Sequence, residues 1–133
     1  MIDIENDVYD YVEGVLKTAY PTIDVSSEYV AAPSQFPSVS IVEMDNRVYA
    51  RARTTHIENA AIVMFECNVY SNKAANKKSE AKKIAATLDE AFAAIGFTRT
   101  FKNPVPNMND ATIYRIICRY EAIVDKDFWI YHN

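Results

Sequence analysis

Residues 112–124 alternate without a break: Tyr114, Ile116, Cys118, Tyr120 and Ala122 fall on one side, Arg115, Ile117, Arg119, Glu121 and Ile123 on the other. A period of two marks a strand with one buried face. Residues 61–71 repeat the pattern, with Val63, Phe65, Cys67 and Val69 opposed to Met64, Glu66, Asn68 and Tyr70. Two long strands of this kind require a sheet, and its apolar face requires a cover. Ala81, Ile84, Ala85, Leu88, Phe92 and Ile95 supply one, recurring at three- and four-residue spacing up to Gly96, where a left-handed C-terminal cap belongs. Lys77 falls on the same stripe, so this helix is expected to dock from about Ser79 onward. An earlier helix is marked over 4–20 by Val8, Tyr11, Val12, Val15, Leu16 and Ala19. Asp3, Glu5, Asp7 and Asp10 crowd its first turns, where negative charge suits the helix dipole, and Pro21 stops it.

The rest of the chain fills in around these elements. A short extended piece is expected at 23–25, then an irregular stretch bracketed by Pro33 and Pro37, then a strand at 38–44. The polar, arginine-rich segment 45–59 reads as a projecting loop or hairpin. A strand is expected at 97–102 and a turn at 103–107, because Pro104 and Pro106 cannot donate to a ladder. No repeat or low-complexity linker divides the 133 residues, so 1–133 is read as a single domain ending in an aromatic tail over 126–133. The order helix, strands, helix, strands gives the fold class α+β: a mainly antiparallel sheet with two helices packed on one face. The opposite face mixes charge with Met64, Tyr70, Ile117 and Ile123, which a purely solvent-facing sheet would not need.

Scarcities narrow the chemistry. The two glycines, Gly14 and Gly96, stand 82 residues apart, which rules out a Walker loop and a dinucleotide fingerprint by counting. The two histidines, His56 and His132, cannot make an HExxH helix. His56-Ile57-Glu58 matches half of a zinc-deaminase signature, but the Pro-Cys-x-x-Cys half is missing. Cys67 and Cys118 could form one disulfide, yet both sit on apolar strand faces and read as buried, reduced thiols rather than nucleophiles. Carboxylate neighbours such as Glu43 with Asp45, or Asp89 with Glu90, are expected by chance among 18 acids. No catalytic residue, cofactor site or metal site is assigned. A net charge of −4 opposes general nucleic-acid binding. The acidic opening Met1-Ile2-Asp3-Ile4-Glu5 does not look like a signal peptide, and no apolar run approaches a membrane span, so a soluble protein made in a reducing cytoplasm is expected.

Three surface features remain. Arg47, Tyr49, Arg51 and Arg53 line one edge of an extended segment, a chemistry suited to a protein interface or to nucleic acid, or else simply a solvated loop. Lys73, Lys77, Lys78, Lys82 and Lys83 gather at the start of the second helix, against its dipole, and read as a solvated face with a weak pull toward acidic partners. Phe128, Trp129 and Tyr131 make the tail too apolar to be left in water: it returns to its own domain or buries against another subunit.

The order and spacing of these segments resemble the tail terminator, or tail-completion, proteins of the neck of tailed bacteriophages and prophages. The residues that carry the resemblance are Phe36-Pro37-Ser38-Val39-Ser40-Ile41 leading into the first long strand, and Phe65-Glu66-Cys67-Asn68-Val69-Tyr70-Ser71 before the lysine-rich helix. Leu88-Asp89, Gly96-Phe97-Thr98-Arg99 and Tyr114-Arg115 through Arg119-Tyr120 complete the set. It spans nearly the whole chain and rests on packing and turn positions. The resemblance implies a non-enzymatic virion protein, assembled in the host cytoplasm. It would form a homo-oligomeric, usually hexameric, ring that caps the tail tube and joins the head–tail connector. DNA would pass through the lumen without specific binding, and no membrane would be involved. On this reading Arg47, Tyr49, Arg51 and Arg53 touch a neighbouring subunit or ring, Arg115 and Arg119 lie on an interface face, and the tail around Trp129 anchors on a neighbour. A head–tail connector or stopper of the same neck is the related alternative. A small nucleic-acid-binding accessory protein using the arginine segment is the alternative of a different class, which salt-sensitive DNA retention would distinguish.

Overall fold

The computed structural model describes residues 1–30, 33–49, 60–106, 110–127 and 130–131. Helix α1 (Glu5–Ala19) is followed by β1 (Asp24–Ser26), β2 (Ser38–Val48), β3 (Ala60–Ser71), α2 (Lys77–Ala94), β4 (Thr98–Pro106), β5 (Tyr114–Asp125) and β6 (Ile130–Tyr131). The strands form one sheet in the order β1-β2-β3-β5-β4, with β6 added beside β5. β1 runs parallel to β2 and every other pairing is antiparallel. Both helices cover one face. This is the expected α+β architecture.

The core lies between that face and the helices. Val39 and Ile41 of β2, the Val63-Phe65-Cys67-Val69 row of β3, and Ile116, Cys118, Tyr120 and Val124 of β5 are buried against Ala81, Ile84, Leu88 and Phe92 of α2. Phe92 sits at its centre, stacked on Tyr120 at 4.3 Å and tilted 4°, with Phe97 edge-on at 5.3 Å and Phe65 at 5.9 Å. Gly96 ends α2 at φ 92°, a left-handed position that favours glycine, and lets the Phe97 N–H reach back to the Phe92 carbonyl at 3.0 Å.

Helix α1 buries a narrower stripe than its spacing predicts. Val8, Val12 and Leu16 form the buried row, whereas Tyr11 and Ala19 are exposed. The row follows the i, i+4 ridge, and Tyr11 is turned a full residue, about 100°, away from Val12. The turn expected at 103–107 is also corrected: β4 continues through Pro104 and Pro106, which face Ile116 and Tyr114. β4 is the last strand on its side of the sheet, where a missing N–H need not break a ladder. Likewise the strand expected to stop at 44 runs on to Val48, and Tyr49 N–H still meets the Ala60 carbonyl at 2.9 Å. The loop-or-hairpin segment thus opens as paired strand; its residues 50–59 lie outside the described ones.

Candidate subunit interface on the sheet

Two β-bulges decide what the open face of the sheet carries. In β2, Glu43 pairs with Phe65 but Asp45 pairs with Met64, so the strand takes an extra residue between them. Counting by twos from Val39 and Ile41 would send Asp45 and Arg47 toward the helices. The extra residue reverses them onto the open face. The same device occurs in β4, where Arg99 pairs with Tyr120 and Phe101 with Arg119. Arg99 stays on the helix side, 3.3 Å from Asp89 of α2, while Phe101 is moved to the open face.

Three arginines stand on this face, each held by side chains of the same face. Arg119 Nε donates to Glu66 Oε2 at 2.9 Å across the β3–β5 ladder, and its guanidinium lies 4.9 Å from the Phe101 ring centroid. Arg115 Nε donates to Asn68 Oδ1 at 2.9 Å, with its guanidinium 5.6 Å from Tyr29 and 5.8 Å from Tyr70. Arg47 pairs with Asp45 at 2.6 Å and reaches Glu121 at 3.9 Å. Between them Ile62, Met64, Ile117 and Ile123 are only half-buried. Tyr70 and Asn68 are fully buried although they point away from the core, and burial pushes the Tyr70 phenol up to about 12 despite the pull of Arg115.

Such a face suits a protein contact. Each guanidinium has one edge satisfied within the chain, which fixes its plane, and N–H groups left over for a partner's carboxylate or carbonyl. The half-buried aliphatics between them offer apolar area without a continuous greasy patch.

Among the sequence-derived candidates, Arg47, Arg115 and Arg119 share this face, and Tyr49 follows directly at the end of β2. Arg51, Arg53, Phe128 and Trp129 lie outside the described residues, as do His56 and Glu58. Tyr131 belongs to β6, whose backbone pairs Tyr131 with Ile123 and Ile130 with Val124, so that part of the tail returns to its own sheet. Sequence reasoning missed Tyr29 and Phe101, the ring partners of two arginines. Strict alternation had placed Glu66 beside Arg119 on one face, but nothing local signalled the register.

Cys67 and Cys118 are free, buried and opposite one another in the β3–β5 register, and burial pushes both thiols up, away from thiolate reactivity. Among the described residues no group of three or more His, Cys, Asp or Glu is placed to hold a metal, and no helix is long and apolar enough to cross a membrane. At the other end of the helix layer, burial together with the Glu5 and Asp3 carboxylates raises the Glu43 carboxyl above its ordinary range.

No protein-family model matches this chain, and no curated protein matches it. Its fold, however, is similar to that of a chain in a solved structure described as the virion of a native gene transfer agent particle. The two superpose with a TM-score of 0.62 over 92% of this chain and 94% of that one, at 17% identity.

Proposed function

We propose that this chain is a structural, non-enzymatic subunit of a phage-derived virion, and within it a tail terminator of the neck. Copies would close into a ring, a hexamer on the resemblance above, that caps the tail tube and meets the head–tail connector while DNA passes through its lumen. The observation that carries the reading is the fold shared nearly end to end with a chain of an assembled gene transfer agent virion. The open sheet face supports it: an arginine row with satisfied inner edges, set among half-buried isoleucines, is what a subunit contact uses. An acidic chain also suits a passage that DNA must slide through without sticking.

Solution mass by light scattering over a concentration series, with negative-stain images of any large species, tests this, alone and with tail tubes added. Rings of roughly six subunits are expected, since head-to-tail association closes on itself when its rotation allows. Arg119→Ala and Arg115→Ala should weaken them. A strict monomer at high concentration that also forms no ring on tube ends would overturn the proposal.

A further inference from the structure

The helix layer is electrically polar from end to end. Tyr20, just past α1, hydrogen-bonds Thr87 of α2 at 3.2 Å and shares a cleft with Lys73 and Lys83. The two helices therefore run antiparallel, and the lysines at the start of α2 lie at the opposite end of the layer from Asp3, Glu5 and Asp7. Lys73, Lys78, Lys82 and Lys83 are exposed and have no ion-pair partner among the described residues. Lys78, Lys82 and Lys83 flank a shallow groove floored by small side chains, Ala75, Ser79 and Ala86. Positive charge there opposes the α2 dipole, so within one copy the cluster is unfavourable.

Helix α1 carries an independent anomaly. Gly14 sits in its interior, where glycine is a poor helix former, and an added Cβ would meet nothing within 4 Å. Nothing among the described residues calls for a glycine here. Around it, Asp10, Tyr11 and Thr18 line a shallow outward groove, with Tyr11 exposed and Asp7 one turn away. Lys17 is exposed about one turn beyond Gly14, so the acidic edge of this face is the side of Asp7 and Asp10, where a second helix with small residues and lysines would pack closely.

We infer that the outward face of α1 around Gly14, with Asp7 and Asp10, is the docking surface for the lysine-flanked groove at the start of α2 in a second copy of this chain. The inference rests on the ring reading and names its contact. One chain carries both halves, one on each helix, so the contact joins unlike surfaces and repeats head to tail. The lysine row from Lys78 to Ala86 is about 12 Å long and the acidic row from Asp7 to Thr18 about 16 Å, which lets two to three turns meet.

Two charge-reversed chains test it: Asp7→Lys with Asp10→Lys, and Lys78→Glu with Lys82→Glu. Each alone should associate at least tenfold more weakly than the wild type by light scattering. Their equimolar mixture should recover assembly, because every junction again pairs acid with base. Gly14→Gln should weaken association at least tenfold with far-UV circular dichroism and melting temperature kept, which separates a blocked surface from a lost fold. If the wild type assembles and these variants assemble equally well, this contact is wrong and the ring reading stands. If each reversed chain fails but the mixture does not recover, the pairing of these two surfaces is overturned. A wild type that stays monomeric at high concentration and on tube ends overturns both.

Discussion

Replacing Gly14 by alanine should make the monomer more stable and the assembly weaker. Gly14 is the tenth of fifteen residues in α1, inside the helix rather than at a cap. Its φ is not left-handed, unlike that of Gly96. The new methyl meets nothing within 4 Å. The local carbonyl already accepts the Thr18 hydroxyl at 2.8 Å, a bond the substitution leaves alone. The change therefore acts through helix propensity and the unfolded chain, worth about 0.5–1 kcal/mol in favour of alanine. An unfolding entropy of about 2.1 cal/mol/K per residue over a chain of this length converts that to a rise of about 2–4 °C in Tm. Calorimetry or circular dichroism reads it, at a concentration where light scattering reports monomer, because association itself would raise the wild-type Tm. A Tm that stays level or falls refutes the claim that the subunit has no use for this glycine. A Tm that rises with association unchanged would locate the glycine's purpose elsewhere than in a contact.

Phe92→Ala should cost about 3–5 kcal/mol in urea unfolding, since its ring is the centre of the Phe65, Phe97 and Tyr120 cluster; a loss under about 1 kcal/mol would mean the cluster repacks freely. Arg119→Ala should change monomer stability by only about 0.5–1 kcal/mol, because its pair with Glu66 is partly in water, while lowering association clearly; a large stability loss with association intact would make the residue structural. For Glu43 the sign follows from its raised carboxyl. The folded chain keeps this proton to higher pH than the unfolded one, so stability falls as pH rises from about the ordinary value of 4.5 through the folded value. Glu43→Gln should therefore raise Tm at pH 7 and leave it nearly unchanged at pH 4, and equal shifts at both would contradict this.

What could be read from the chain ahead of the structure was whatever repeats locally. The rows Val63 to Val69 and Tyr114 to Ala122, and the stripe Ala81 to Phe92 closed by Gly96, each announce their element within a dozen residues and are buried as their spacing requires. The open face was harder, because a bulge leaves no mark on composition. One extra residue near Met44 reverses Asp45 and Arg47, and one near Thr100 reverses Phe101, so parity counted along either strand goes wrong beyond that point. Register was equally hidden: Arg119 meets Glu66 across 53 residues of sequence, a pairing that depends on β3 and β5 being neighbours. Pro104 and Pro106 misled for a related reason. Whether a proline ends a strand depends on whether the strand lies at the edge, and that is a property of the sheet rather than of the segment.

On the proposed reading, the bulges also explain how one face could be adhesive in an assembly and still be tolerated in a free subunit. Without the shift in β4, Phe101 would lie on the helix side and the Arg119 guanidinium would lose the ring it rests on. Without the shift in β2, Arg47 would turn toward the helix layer and leave Glu121 without its charge partner. With both, Arg47 and Arg119 each have a carboxylate of the same chain within reach, Arg115 has the Asn68 amide oxygen, and the isoleucines between them are half-buried. A surface built this way does not bind indiscriminately, because its three arginines already have hydrogen-bond partners within the chain. It favours a partner that takes up the remaining guanidinium N–H groups while covering the aliphatic area. The helix layer is arranged differently: Lys73, Lys78, Lys82 and Lys83 have no ion-pair partner among the described residues, and Asp3, Glu5 and Asp7 lie toward its other end. The sheet face would then supply contact area, and the helix layer direction, which is the division of labour a closed head-to-tail ring requires.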